Sequence, residues 1–74
     1  HDAKIGNHVH VSTGALINGD CSVANNCFIG SGAVMVNSTK ISDEVVIGAG
    51  SVVTKNITSP GIYAGNPAKR ISNE

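Results

Sequence analysis

Three histidines, His1, His8 and His10, fall within the first ten residues and are the side chains best suited to chemistry. An imidazole changes charge near neutral pH, so it can take or give a proton, and its neutral form binds metals. Proton transfer and zinc ligation are therefore the two chemistries to weigh. The other candidates are two thiols, Cys21 and Cys27, six residues apart. They form no CxxC pair, which makes them a poor zinc site. They read as small apolar side chains, buried in a protein of a reducing compartment.

The elements that carry these residues repeat every six positions. Ile5, Val11, Ile17, Val23, Ile29, Met35, Ile41, Ile47 and Val53 form an unbroken series in a chain that is 41% apolar. A helix repeats near 3.6 residues and an ordinary strand at 2, so this period is neither. It is the signature of a hexapeptide solenoid, in which three short strands make one triangular coil. The expected fold class is an all-β parallel β-helix. Two positions before each hydrophobe stand mostly small residues, such as Ala15, Cys21, Cys27 and Ala33, suited to a tight interior corner. Two and three positions after it stand pairs such as Asn7-His8, Gly19-Asp20, Ser31-Gly32 and Ala49-Gly50. These types dominate corners because corners demand unusual backbone angles and local hydrogen bonds. His8 reads as such an exposed corner residue. Cys21 and Cys27 then lie near different corners, too far apart for a disulfide.

Three hexapeptides make one coil of about 18 residues, which gives roughly three coils over residues 1–54. Ile5, Val23 and Ile41 should stack in one interior column. Val11, Ile29 and Ile47 form the second, and Ile17, Met35 and Val53 the third. The outward positions differ from face to face. Lys4, Ser22 and Lys40 make a solvent face, whereas His10, Phe28 and Val46, and Leu16, Val34 and Val52, make two apolar ones. Exposed apolar faces mark interaction surfaces. Two of them on a triangular prism suit a ring in which each subunit offers a different face to each neighbour, so a homotrimer is expected. The period fails at Ser59. Residues 55–74 contain Pro60, Gly61, Gly65 and Pro67 and read as a turn-rich capping segment, with Ile62, Tyr63 and Ile71 available to cover the last coil.

At 74 residues the chain is at most one small domain. Its net charge is zero and 14% of its residues are charged, which argues against a nucleic-acid partner or a polybasic membrane contact. It has no apolar run near 20 residues and no signal-peptide pattern, so the cytoplasm is the expected compartment. Without a secretory signal, the sequons at Asn37-Ser38-Thr39 and Asn56-Ile57-Thr58 carry no weight. The chain begins with His1 rather than Met, and is expected to be a fragment, a processed product or the bearer of a tag remnant.

Four stretches carry a resemblance to a known family. They are His1-Asp2-Ala3-Lys4-Ile5-Gly6, His10-Val11-Ser12-Thr13-Gly14-Ala15, Ile47-Gly48-Ala49-Gly50-Ser51-Val52-Val53 and Gly65-Asn66-Pro67-Ala68-Lys69. The chain resembles the sialic-acid O-acetyltransferase-like family of hexapeptide sugar acyltransferases. That family includes bacterial N-acetyltransferases acting on nucleotide-linked 4-amino sugars. The last two stretches are common to hexapeptide acyltransferases in general, while His1-Asp2 followed by His10 is more specific to this subfamily. The resemblance implies a left-handed β-helix, acetyl-CoA as co-substrate, and transfer of an acetyl group to an amino or hydroxyl group of a sugar or nucleotide-sugar. It implies His1 as general base with Asp2 orienting it. It also implies His10 as a contact to acetyl-CoA near the thioester, and Gly19, Ser31 and Ala49 as small corner residues that approach the cofactor.

These roles suit the chemistry. A sugar amine or hydroxyl must lose its proton as it attacks a thioester, and histidine has a suitable pKa. A carboxylate on the other ring nitrogen fixes the tautomer and stabilises the imidazolium. Lys69 and Arg70 fit CoA phosphates on electrostatic grounds. The family's N-terminal nucleotide-sugar-binding domain and the first coils of its prism are expected to be absent, which leaves acceptor recognition without a visible source. His1 and His10 stand half a coil apart with a corner between them. At about 3.3 Å per strand residue, a shared site is expected across a subunit interface. Two other classes compete. One is a non-catalytic, trimerising structural remnant of such an enzyme. The other is a zinc enzyme like the β-helical carbonic anhydrases, whose three histidines are spread over several coils, whereas here all lie near the start and His8 and His10 differ in coil position. No metal site is expected.

Overall fold

The computed structural model describes residues 3–72. Each hexapeptide forms one short strand and one corner. The first nine strands are β1 (Lys4–Ile5), β2 (His10–Val11), β3 (Leu16–Ile17), β4 (Ser22–Val23), β5 (Phe28–Ile29), β6 (Val34–Met35), β7 (Lys40–Ile41), β8 (Val45–Ile47) and β9 (Val52–Val53). They stack in parallel as three sheets. The first face runs β1-β4-β7 and the third β3-β6-β9, while β2, β5 and β8 belong to the second. Register steps by eighteen residues: Ile5 pairs Val23 and Val23 pairs Ile41, His10 pairs Phe28 and Phe28 pairs Val46. The interior columns and outward faces are those read from the period.

The corners explain the repeat's second feature. The third residue after each hydrophobe from Ile5 to Ile47 has a left-handed backbone: His8, Gly14, Asp20, Asn26, Gly32, Ser38, Glu44 and Gly50, with φ between 58° and 76°. That conformation costs an L-residue about 1–2 kcal/mol, and stacked hydrogen bonds offset it. The N–H groups of Asn26, Gly32, Ser38, Glu44 and Gly50 donate to the carbonyls of Asn7, Thr13, Gly19, Asn25 and Ser31 in the coil before, at 2.9–3.1 Å. One edge adds a side-chain ladder. Asn25 Oδ1 accepts from the Asn7 N–H at 2.8 Å, and Asp43 Oδ1 accepts from the Asn25 N–H at 2.8 Å.

The core is Val23, Ile29, Met35, Ile41, Ile47 and Val53 with the small residues before them, Cys21, Cys27, Ala33 and Val45. Two buried hydroxyls in the small slots are satisfied: Thr39 Oγ1 donates to the Val36 carbonyl at 2.8 Å, and Ser51 Oγ accepts from the Gly65 N–H at 3.1 Å. Both cysteines are free and buried. Their thiols point to separate carbonyls, Cys21 to Val36 at 3.2 Å and Cys27 to Ser42 at 3.1 Å. The first-coil members of the columns are less covered, with Ile5 46% and Val11 41% exposed.

Beyond β9 the six-residue period stops but the stacking continues. Ile57 bridges to Ile41 on the first face. Strand β10 (Gly61–Ala64) extends the second face, pairing Tyr63 with Ile47. On the third face Val52 bonds Gly65 and Ala68 through the backbone. The step here is sixteen residues, not eighteen, so a shorter layer closes the prism. Strand β11 (Lys69–Ser72) then folds back antiparallel on β10. Ile57 and Tyr63 are buried, and the Tyr63 hydroxyl donates to the Ser59 carbonyl at 2.9 Å. Ile62 is half-buried, and Ile71, read as a cap residue, is instead 66% exposed. Among the described residues no helix is long and apolar enough to cross a membrane.

Candidate functional site

The second face carries the sequence-derived cofactor residue His10. Outward positions of β2, β5, β8 and β10 stack His10, Phe28, Val46 and Ile62 in register. Cross-strand neighbours on one face are in side-chain contact. Here the His10 and Phe28 rings lie 5.0 Å apart between centroids with planes 5° from parallel. The stack holds the imidazole against an aromatic shelf. Both residues are exposed.

Ser31 and Ala49 stand one coil apart on the edge that follows this face. Both are exposed, and the Ser31 carbonyl accepts the Gly50 N–H at 2.9 Å. Behind them Gly30 is pressed against the next coil: a Cβ there would lie 2.6 Å from the Ala49 nitrogen and 2.7 Å from the Ile47 carbonyl oxygen. The edge is therefore narrow and rigid, with only small side chains between a ligand and the backbone. One protomer thus brings His10, Ser31 and Ala49 to one region.

Gly19 is not brought there. It lies on the edge after the third face, where its carbonyl accepts the Ser38 N–H at 2.9 Å. The outward column Leu16, Val34 and Val52 separates the two edges. The preceding residue anchors this corner, since Asn18 Nδ2 donates to the Met35 carbonyl at 2.8 Å. His1 and Asp2, the expected base and its partner, lie outside the described residues. His8 sits exposed on a third edge with φ 58°. Among the described residues no group of three or more histidine, cysteine or acidic side chains could hold a metal ion.

Sequence reasoning missed one feature. The first face, read only as a solvent face, is concave beside the Gly19 edge. A groove of about 670 Å³ is lined by Lys4, Asp20, Ser22, Ser38, Lys40 and Asn56. Its charge was signalled by the lysines at 4 and 40, two coils apart in one outward column, but its concavity was not.

Two family profiles cover the repeat. The bacterial transferase hexapeptide (six repeats) matches residues 2–37, and the hexapeptide repeat of succinyl-transferase matches residues 21–55. The chain belongs to the hexapeptide-repeat transferases. The chain is similar to the acetyltransferase domain of PglB from Neisseria gonorrhoeae, with 35% identity and a TM-score of 0.93 over 96% of this chain's length. That domain has also been solved in complex with acetyl coenzyme A. PerB from Caulobacter crescentus, solved with CoA and GDP-perosamine, is 29% identical over 97% of the chain, with a TM-score of 0.92. The chain spans 35% of the length of each of these relatives. No curated protein matches it. The solenoid is the left-handed parallel β-helix of that group.

Proposed function

We propose that this chain supplies the acyl-donor part of an acetyl-CoA-dependent acetyltransferase. The acceptor is an amino or hydroxyl group of a sugar or nucleotide-linked sugar. The observation that carries the reading is its likeness, at 35% identity over 96% of its residues, to a domain that binds acetyl coenzyme A. Its likeness to an enzyme solved with CoA and GDP-perosamine supports the sugar acceptor. The pantetheine arm would run along the narrow Ser31–Ala49 edge, with the thioester end toward His10 on its Phe28 shelf. His1 acts as general base, oriented by Asp2. The acceptor nitrogen or oxygen attacks the thioester carbonyl carbon, the new C–N or C–O bond forms and the C–S bond breaks. The acceptor's proton passes to His1 and then to the departing thiolate.

The same reading makes the protein a homotrimer. The column of His10, Phe28 and Val46 on one protomer would meet Leu16, Val34 and Val52 on the next, a heterologous contact that closes in threefold symmetry. Gly19, on the edge beyond the second of these columns, would then reach the cofactor from the neighbouring subunit. The cytoplasm is the proposed compartment, in keeping with two free buried thiols.

The test is acetyl-CoA calorimetry on the purified chain with its solution mass measured alongside. Saturable binding by a trimer, weakened by His10→Ala, is the expected result. A well-folded trimer that binds no acetyl-CoA would overturn the donor reading and favour an assembly module. In the full-length protein, His1→Ala should abolish transfer while acetyl-CoA binding persists, and unchanged turnover would remove His1 from the role of base.

A further inference from the structure

The groove on the first face has a composition that the acetyl-donor reading does not use. Lys4, Ser22 and Lys40 are paired in register on β1, β4 and β7. Adjacent strands lie about 4.8 Å apart, so the two lysines are rooted about 9–10 Å from each other with one short, half-buried side chain between them. Both ammonium groups are on exposed residues and can lean over Ser22 toward a common ligand. The wall toward the last layer is Asn56. Its Oδ1 is occupied, accepting the Lys40 N–H at 2.9 Å, which leaves its amide Nδ2–H groups to donate. Ser22 and Ser38 add hydroxyls. Asp20 is the one carboxylate of the lining among the described residues, held on the corner at φ 61°. The groove thus gathers two cations, an oriented amide and two hydroxyls around a low floor, a donor set that matches the oxygens of an anion. Leaning inward, the two ammonium groups converge on a diphosphate, one cation to each anionic phosphoryl group, with the hydroxyl and amide donors between them.

We infer that this groove binds the diphosphate of a nucleotide-bearing ligand, with Lys4 and Lys40 on its two ends and Ser22 and Asn56 donating between them. CoA and a nucleotide-linked sugar both carry that group. The assignment stands on the groove alone and does not depend on acetyl transfer.

The first probe is inorganic pyrophosphate, titrated calorimetrically into the purified chain at low salt. Saturable binding is expected, and it should weaken as salt is raised. Lys4→Ala and Lys40→Ala should each weaken it by about tenfold, as for loss of one charge-assisted hydrogen bond. Ser22→Asp, which places a carboxylate between the cations, should abolish it, whereas Lys55→Ala, outside the lining, should leave it unchanged. Circular dichroism of each variant confirms the fold, and all four positions are on the surface or half-buried. Absence of binding, or binding indifferent to both groove lysines, overturns the assignment. Competition then names the source. Displacement of pyrophosphate by CoA, lost in the Lys40→Ala variant, assigns the groove to the acyl donor. Displacement by UDP-N-acetylglucosamine assigns it to the acceptor. Displacement by neither overturns the nucleotide assignment and leaves a general anion contact.

Discussion

Gly30→Ala should be among the most damaging single-methyl additions in this chain. The methyl would sit 2.6 Å from the Ala49 nitrogen, 2.7 Å from the Ile47 carbonyl oxygen and 2.8 Å from the Gly48 carbonyl carbon. All three are backbone atoms, so no side chain can swing aside. Ordinary contact begins near 3.4 Å, so the third coil must move by about 0.7 Å, in the range where overpacking costs about 1–3 kcal/mol. That shift also strains the Gly30 N–H to Ile47 carbonyl bond, now 2.8 Å, for about another 1 kcal/mol. The sum is about 2–4 kcal/mol, a large part of the roughly 4–11 kcal/mol expected for a chain this size. Thermal unfolding should show it as a fall of about 10–25 °C. Gly32→Ala is the control. It has open space around it but a φ of 71°, so its cost is backbone strain alone, about 1 kcal/mol. Gly32→Asn should cost less still, because Asn26 adopts the same conformation at its own corner. All three are compared at one protein concentration, since assembly shifts apparent stability. Gly30→Ala unfolding no earlier than Gly32→Ala would refute the close-approach reasoning.

Other expectations can be checked in the same way. Phe28→Glu should convert the proposed trimer to monomer in sedimentation, because it would put a charge in the apolar column assigned to the contact; a variant that stays trimeric would exclude that face from the contact. Burial pushes the Cys27 thiol above its ordinary range, so the folded state holds its proton longer than the unfolded one. Stability from this site is therefore complete below about pH 8.5 and declines as pH rises through the folded pKa. Melting scans from pH 7 to 10.5 should show a decline that Cys27→Ala makes shallower. Asp43→Ala removes the acceptor for the Asn25 N–H and should cost about 1 kcal/mol by urea titration. A double-mutant cycle on His10 and Phe28 should give a coupling of about 0.5–1 kcal/mol, and none would mean that the ring stack is not formed in solution.

Most of the prism was legible because each slot of the hexapeptide has one physical task. The hydrophobe fills the interior, the residue two before it must be small, and the residue three after it must accept a left-handed backbone. Asn, Asp and Gly announce that last task, but His8, Ser38 and Glu44 perform it too, and coil-to-coil hydrogen bonds rather than their own preference hold Ser38 and Glu44 there. The closing layer was harder to see. Its step is sixteen residues, so a search at period six loses it at Ser59. The pairs Ile41–Ile57 and Ile47–Tyr63 share that offset and were the available signal. The face of Lys4, Ser22 and Lys40 was correctly placed outside, but its concavity was not readable. Concavity depends on the Asn56 side chain turning in to bond the Lys40 backbone, a contact across the irregular segment. His10, Gly19, Ser31 and Ala49 are grouped by family resemblance, and the separate edge of Gly19 follows only from tracing each corner round the triangle.

The register makes function columnar. With a step of eighteen residues, outward side chains eighteen apart stack in one column, so a few residue choices set the character of a whole face. That is why the three faces differ so sharply although the interior is nearly uniform: lysines flank a serine on one, an imidazole lies on an aromatic ring on the second, and aliphatic side chains fill the third. It also explains why the shorter closing layer does little harm to the second face. Ile62 falls in register beyond Val46 despite the changed step, and its half-buried side chain keeps the column apolar. The first face is treated otherwise, since there the closing layer contributes only the bridge at Ile57 and turns Asn56 toward the lysines. One irregular segment therefore prolongs an apolar column on one side of the prism and walls a cationic groove on another. The corners between faces remain the places where a ligand can approach the backbone closely, because only there does the repeat call for side chains as small as Gly19, Ser31 and Ala49.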